Sequence, residues 1–284
     1  MSHDAPAAGA LQSYVDKWLA VQPQQRVALV FVDPQRYPGH VALAALEQEL
    51  LAAAYGIHEP QVAAAKLNWW AEELAGAATG GGRHPLSKVL FDDQRAQAVS
   101  QERWLAPVLA AMAQLEDTTA VDFSAQLATA GRLHGAFAAL ETTWWFGEGA
   151  SPVRAARYAT LAHLLHALRR LHDDAELGQL PLPMARLARY GLSRGELHRP
   201  GQARSQAIKA QLADLQAAWR EAAGLPGPLS VFRALESRQH VALARRAARA
   251  AEPLAVLQKG SPGSTLADTF AAWHAARAWR RHAV

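Results

Sequence analysis

The residue types best suited to chemistry gather between His163 and Asp174. His163 and His166 are three residues apart, so a helix would place both imidazoles on one face, and Asp174 follows about two turns later. Imidazole and carboxylate groups together could ligate a transition metal. Histidine pairs at this spacing also arise by chance, and no HExxH sequence accompanies them. We therefore favour the alternative, in which both histidines are hydrogen-bonded polar groups in or near the core.

Basic side chains flank these histidines. Arg169 and Arg170 are adjacent, Arg157 lies earlier on the same predicted helix, and Lys66 lies on another. A guanidinium repels divalent cations and binds carboxylates or phosphates directly. These residues could therefore bind an anionic group without a metal ion.

Several common catalytic arrangements are missing from the sequence. The chain has no cysteine, which excludes disulfides and thiolate ligands, and it has no GxSxG sequence. The glycine-rich residues 76–85 lack the Gly-Lys-Ser/Thr ending of a phosphate-binding loop, so a linker is favoured. Asp92 and Asp93 are adjacent, and a helix would turn their side chains about 100° apart, which predicts a surface position for both.

The elements that carry these residues are predicted to be helices. Ala, Leu, Gln, Glu and Arg dominate, and β-branched residues never form alternating runs, so we expect an all-α fold. Loops are predicted at 147–152 and 224–228, and the tryptophan pairs 69–70 and 144–145 are expected in the core. Helical periodicity appears in eight segments: 40–55, 61–75, 102–115, 123–145, 155–171, 205–223, 238–257 and 266–282.

Length and composition predict one domain over residues 1–284, since 50% of the residues are hydrophobic. Neither a signal peptide nor the roughly twenty apolar residues of a membrane span is evident, so we expect a cytoplasmic protein without a transmembrane segment. The net charge of +4 and the C-terminal arginines are interpreted as a solvated helix face, and nucleic acid is not expected as a partner. Peripheral contact with anionic headgroups, for example at the inner membrane, stays open.

Two segments are more specific. Residues 59–74 read EPQVAAAKLNWWAEEL, and His84-Pro85 follows the glycine-rich loop. This arrangement resembles the squalene/phytoene synthase family, in which a helix of the form R/K-L-x-W-W-x-x-E/D-L precedes His-Pro at the start of the next helix. The matching positions are Lys66, Leu67, Trp69, Trp70, Glu73 and Leu74.

The second segment is residues 173–193, DDAELGQLPLPMARLARYGLS, which is similar to the family's E-D-x-x-x-G-R-x-Y-L-P stretch. The two segments occur in the family's order, so the resemblance is clearest over 41–193, and the C-terminal helices are compatible with it. The resemblance implies a single-domain, isoprenoid-synthase-like helical bundle around a central cavity. The matching positions are Asp174, Gly178, Leu182, Pro183 and Gly191.

The resemblance also implies a metal site, because two aspartate-rich motifs in this family hold Mg²⁺ against an isoprenoid diphosphate. The first motif corresponds to 51–55, where Leu51, Ala52 and Tyr55 stand in place of carboxylates. Glu47 and Glu49 precede it and are predicted to face solvent. The second motif corresponds to 170–174, where Arg170 replaces the leading aspartate, Asp174 persists beside Asp173, and His163 and His166 replace a Gln and an Asn.

These departures leave two hypotheses for the function. The preferred one is a non-catalytic relative that acts in interaction or assembly with a protein partner, or that binds an isoprenoid-like or lipid-like ligand; it resembles the degenerate branch containing the complex I assembly factor related to phytoene synthase. No cofactor is then expected. The alternative is a Mg²⁺-dependent head-to-head prenyltransferase of farnesyl or geranylgeranyl groups, with Asp174 as a weak metal candidate. Candidate ligand-binding residues are Lys66, Trp70, His163, His166, Arg169, Arg170, Asp173 and Asp174.

Overall fold

The computed structural model describes residues 4–176, 180–260, 263 and 265–282. Every regular element in these ranges is a helix, which confirms the predicted all-α class. Two short 3₁₀ turns, Gln94–Ala98 and Arg194–Glu196, accompany the α-helices. The α-helices are α1 (Asp4–Val21), α2 (Gln25–Leu29), α3 (Pro38–Gly56), α4 (Pro60–Ala77), α5 (Pro85–Asp92), α6 (Gln101–Gln114), α7 (Phe123–Phe146), α8 (Val153–Arg169), α9 (Leu171–Glu176), α10 (Met184–Arg189), α11 (Gln202–Ala223), α12 (Val231–Arg249), α13 (Pro253–Lys259) and α14 (Leu266–His282).

The segment predicted as one helix over 238–257 is two helices. α12 begins earlier, after Ser230, whose hydroxyl accepts a hydrogen bond from the backbone N–H of Arg233. It ends at Arg249 because Ala250 is extended and Pro253 opens α13. Proline lacks the N–H that a continuous helix needs and disfavours helical geometry at the residue before it.

The two predicted loops around 147–152 and 224–228 lie against each other. The backbone N–H of Arg154 donates to the carbonyl of Pro226 at 3.1 Å. Gly227 has φ of 116°, and a Cβ there would lie 2.0 Å from the carbonyl oxygen of Ser151. Only glycine fits this contact, which holds the start of α8 beside the start of α12.

Two large apolar clusters form the core. One joins α1–α7 and α14 with the start of α12, and the other joins α8–α13 with α7. Trp70, Trp144 and Trp145 are buried in the first cluster, as predicted, whereas Trp69 is 37% exposed. Trp279 of α14 belongs to the same cluster and packs against Trp145 with ring centroids 4.8 Å apart. No helix in the described ranges is long and apolar enough to cross a membrane.

The family-like segment around Glu73 joins α4 to the start of α5. One carboxylate oxygen of Glu73 accepts hydrogen bonds from the backbone N–H groups of Arg83 (2.6 Å) and His84 (2.7 Å) and from the Ser87 hydroxyl. Burial alone would raise the pKa of Glu73, but these hydrogen bonds and the Arg83 charge hold it below its usual value. The His84 ring caps Leu86 and lies 2.8 Å from the Tyr14 hydroxyl. Glu73 and His84 therefore hold the end of α4 against the start of α5.

Candidate functional site

A cavity of about 690 Å³ opens between α3, α7, α8 and α12. Residues between other helices or at their ends complete its wall, namely 21–24, 118–120, 180–181, 259–260 and Gly263. The volume falls within the range of roughly 300–1,000 Å³ that is usual for small-molecule sites. The cavity is therefore the natural place to look for a ligand.

The α3 wall of the cavity carries Leu51, Ala52 and Tyr55, which occupy the position of the first family motif. Leu51 and Ala52 offer no polar atom in their side chains. The Tyr55 hydroxyl lies 3.5 Å from Nε2 of His134, and burial followed by the nearby Asp117 raises the pKa of the phenol. Tyr55 is therefore neutral, and it presents a hydrogen-bonding group in place of a charge.

Four histidines line the cavity beside Tyr55: His134, His163, His166 and His240. The His163 ring lies between two others, with centroid distances of 4.4 Å to both Tyr55 and His134. Burial, then the charges of His166 and Arg170, lowers the pKa of His163 to about 3, and burial with Arg169 lowers that of His166 to about 4. Burial also lowers the pKa values of His134 and His240. All four imidazoles are neutral near pH 7.

The second family motif lies where α8 gives way to α9. Arg170 caps α8, and its Nη2 lies 3.0 Å from Oδ1 of Asp174 on α9, an ion pair that lacks the alignment of a good hydrogen bond. Both side chains line the cavity. Burial raises the pKa of Asp174 although Arg170 opposes the change. The surviving carboxylate is thus already paired with a cation. Gly178, which follows, lies outside the described residues.

Among the residues that the structure describes, two cations on the cavity wall have no such partner. Arg169 and Lys259 both line the cavity, and in the described part of the chain neither forms an ion pair or a side-chain hydrogen bond. Burial lowers the pKa of Arg169, which expresses the cost of holding its charge there without a counter-ion. A guanidinium in this state is ready to bind an anion.

A buried ion cluster forms the remaining polar wall and corrects the prediction that Glu47 faces solvent. Arg233 on α12 donates to both oxygens of Glu47 at 2.9 Å, to Glu141 at 3.1 Å and to Glu236 at 2.9 Å. One guanidinium cannot neutralise three carboxylates. Burial, opposed by Arg233 and assisted by the other two acids, raises the pKa of Glu47 to about 7. Burial alone would lower the pKa of Arg233, but the three carboxylates together raise it well above its usual value.

Several residues singled out from the sequence lie away from the cavity. Lys66 pairs with Glu49 at 3.5 Å, and Glu49 is largely covered, contrary to the prediction that it faces solvent. Trp70 is buried against His84, with ring centroids 4.6 Å apart. Asp173 and Arg157 are exposed on the outer surface. His163, His166, Arg169, Arg170 and Asp174 are the candidates that meet at the cavity.

Glu47, Arg233, Glu236, His134 and His240 line the cavity but were not singled out as ligand-binding candidates. Arg233, Glu236 and His240 share one face of α12 at i, i+3 and i+7, a spacing that any polar helix can show, whereas Glu47 and His134 lie on α3 and α7. Only the helix packing brings them together.

Comparison with known proteins decides the family. The family model described as Squalene/phytoene synthase matches residues 24–259. The chain belongs to the squalene/phytoene synthase family. A search of curated proteins found no match to this squalene/phytoene synthase family member.

Two solved structures illustrate the fold that this family member shares. The squalene synthase HpnC from Alicyclobacillus acidocaldarius is 16% identical, with a TM-score of 0.62, and the match covers 90% of this chain and 94% of that one. A dehydrosqualene synthase in complex with ligand is 9% identical, with a TM-score of 0.69, and 98% of each chain is covered. At these identities the similarity concerns the all-α isoprenoid synthase fold.

The residues of this squalene/phytoene synthase family member do not fit Mg²⁺. Magnesium requires oxygen ligands in near-octahedral geometry, usually carboxylates together with phosphates and water. At the two motif positions the cavity presents Leu51, Tyr55 and Arg170, and Asp174 is paired with Arg170. Across residues 4–176, 180–260, 263 and 265–282, no three His, Asp or Glu side chains converge in a group that could hold a metal ion.

Proposed function

We propose that the protein binds an amphiphilic anion in its cavity without a divalent metal and does not consume a prenyl diphosphate. The observation that carries the proposal is the reversal of charge at the motif positions. Leu51 and Tyr55 bring no charge to the α3 wall, and Arg170 brings a cation to the α8 wall. A family site built for metal-bound diphosphate has become one that contacts an anion directly.

The anionic end of the ligand is assigned to Arg169 and Lys259. Both are unpaired within the described ranges, and both lie on the cavity wall near the end of α8. An arginine–phosphate contact is a charge-assisted hydrogen bond with bidentate geometry. Arg170 contributes less, because Asp174 already neutralises it at 3.0 Å.

The apolar end of the ligand is assigned to the apolar side chains of the cavity wall. These side chains are Leu51, Ala52, Ala162, Leu180 and Leu243, together with the Tyr55 ring. Apolar walls with a few placed polar groups are typical of small-molecule sites. An isoprenoid-like or lipid-like chain matches this wall by hydrophobic burial.

The charged groups on the cavity wall explain why the ligand would be bound but not converted. Ionising a prenyl diphosphate requires groups that stabilise the departing charge, and removal of one such group typically costs several kcal/mol in the transition state. The four cavity histidines are neutral and supply no positive charge. Arg169 and Lys259 balance only part of the charge of a diphosphate, so we expect the ligand to be bound without being ionised.

Titration calorimetry with farnesyl diphosphate tests the proposal, in EDTA and again with Mg²⁺, followed by product analysis of the same mixtures. We expect binding in EDTA, no gain from Mg²⁺ and recovery of intact diphosphate. Arg169→Gln should weaken binding about ten- to a hundredfold, the effect of one charged hydrogen bond. Arg220→Gln is the matched control because Arg220 is exposed on α11, away from the cavity.

Each other outcome has a definite meaning. Mg²⁺-dependent binding with a condensed product would overturn the proposal and restore the prenyltransferase hypothesis, with Asp174 as the first residue to substitute. Equal binding by wild type and Arg169→Gln would remove Arg169 from the site. Absence of binding in both buffers would reject ligand binding and favour a protein partner in assembly.

A further inference from the structure

The outer face of α14 is apolar and exposed. Leu266 is 91% exposed, Phe270 64% and Trp273 40%. These residues are spaced at i, i+4 and i+7, so they form one stripe along the helix, and the Phe270 and Trp273 rings lie 5.4 Å apart. We call these three residues the α14 stripe.

The opposite face of α14 packs against the rest of the protein. Ala272, Ala276 and Trp279 are buried in the core, and Asp268 accepts from Arg238 on α12 at 3.0 Å. These contacts fix the orientation of the helix, so the α14 stripe cannot turn inward. Its exposure is a property of the folded protein and does not arise from a loose helix end.

Arginines border the α14 stripe. Arg277 lies one turn beyond Trp273, with its guanidinium 5.5 Å from the Trp273 ring centre. Arg280 and Arg281 follow on the exposed side, and Arg280 also donates to the carbonyl of Phe31. Exposed aromatic and aliphatic residues next to arginines are typical of helices that lie in the interface of an anionic membrane.

The α14 stripe begins beside the cavity. Lys259, Gly260 and Gly263 line the cavity and belong to the segment that leads from α13 into α14. Thr265 and Asp268 cap the first turn through reciprocal hydrogen bonds, which fixes Leu266 directly after this wall. Any surface that binds the α14 stripe would therefore lie next to the part of the cavity wall that carries Lys259.

We infer that the α14 stripe docks on an anionic lipid bilayer, with the three apolar side chains among the headgroups and the arginines on lipid phosphates. Charge complementarity selects this partner. Asp268 is the one acidic residue of α14 and is already paired with Arg238, so the α14 of a second copy packed on this face offers Arg277 and Arg281 no free carboxylate. The helix lies beyond residues 24–259, which match the family model, so the inference rests on this chain alone.

Vesicle co-sedimentation of the full chain tests the inference. We expect binding to vesicles of phosphatidylcholine with phosphatidylglycerol, and much weaker binding to phosphatidylcholine alone. Phe270→Ser should weaken binding about tenfold, since burial of one aromatic side chain has an effect of that order. A double Arg277→Gln, Arg281→Gln variant should lose the preference for the anionic vesicles and the sensitivity to salt.

Leu109→Ser is the matched control, because Leu109 is also exposed and apolar but lies on α6. Circular dichroism of each variant verifies that the helices are intact, as expected for substitutions of exposed side chains. The inference would be overturned if the wild-type protein failed to sediment with either kind of vesicle. It would also be overturned if Phe270→Ser and Leu109→Ser lost binding to the same extent. A concentration-dependent dimer that Phe270→Ser abolishes would overturn it in favour of self-association.

Discussion

Replacing Arg233 by methionine should be among the most damaging single changes in the cavity wall. The substitution keeps much of the aliphatic volume but removes four hydrogen bonds to Glu47, Glu141 and Glu236. Breaking a buried ion pair by removing one partner costs about 3–5 kcal/mol of the free energy of unfolding, because the other charge stays buried without compensation. We expect a loss in this range at pH values above 7.

The loss of unfolding free energy in Arg233→Met should depend strongly on pH. Burial raises the pKa of Glu47 in the folded wild type from 4.5 to about 7. Between these values the folded state holds a proton that the unfolded chain has released, so stability is greatest below the lower value and falls as pH rises. The full fall is roughly 3 kcal/mol for such a difference. Without Arg233 the carboxylates protonate still more readily, so the variant should recover much of its stability near pH 5.

Urea unfolding followed by circular dichroism at about pH 5 and pH 8 measures both effects. Arg238→Met is the control, because Arg238 also pairs with a carboxylate, that of Asp268, but is 46% exposed at the side chain. Its loss should be at most about 1 kcal/mol. Adding Glu47→Gln to Arg233→Met should restore part of the stability at the higher pH. An equal loss at both pH values, or a loss no larger than that of the control, would refute the reasoning.

Two further predictions concern packing that positions the helices. Glu73→Ala leaves two partly buried N–H groups without their acceptor and removes one of the two acceptors of the Ser87 hydroxyl, so it should cost about 2–4 kcal/mol, whereas exposed Glu72→Ala should cost little. Gly39→Ala places a Cβ 2.6 Å from the Trp144 ring and should cost about 1–3 kcal/mol, whereas Gly56→Ala meets open space. Thermal unfolding measures both pairs. If Glu73→Ala and Glu72→Ala unfolded at the same temperature, the contacts of Glu73 would not matter as argued. The same holds for Gly39→Ala, Gly56→Ala and the close approach of Gly39 to Trp144.

The helices were predictable because most of them keep an apolar face with a period of 3.6 residues. The predicted 123–145 matches α7 within one residue at its end, since Asp122 caps the first turn and Gly147 stops the last. The prediction was weakest where sequence signals compete. The apolar pattern across 250–253 continues, but an extended Ala250 and Pro253 divide it.

The polar wall of the cavity was harder to predict than the helices. α3 packs against helices on several sides, so Glu47 had no solvent face to occupy, although the same residue on an amphipathic helix would be exposed. Its partner Arg233 lies 186 residues later in the chain. No local pattern links residues at that separation. The motif residues 51–55 and 170–174 were located only because the family spacing supplied a register.

The aromatic cluster against which α14 packs also affects the order in which the two halves of the protein can fold during synthesis. Trp279 packs against Trp145 and Tyr37, in a core otherwise built mostly from α1 and α3–α7. The ribosome delivers those earlier helices long before it delivers α14. The second cluster uses helices α8–α13 and closes without that helix. During synthesis the C-terminal half of the bundle can therefore reach its native packing while the core of the N-terminal half is still open to water.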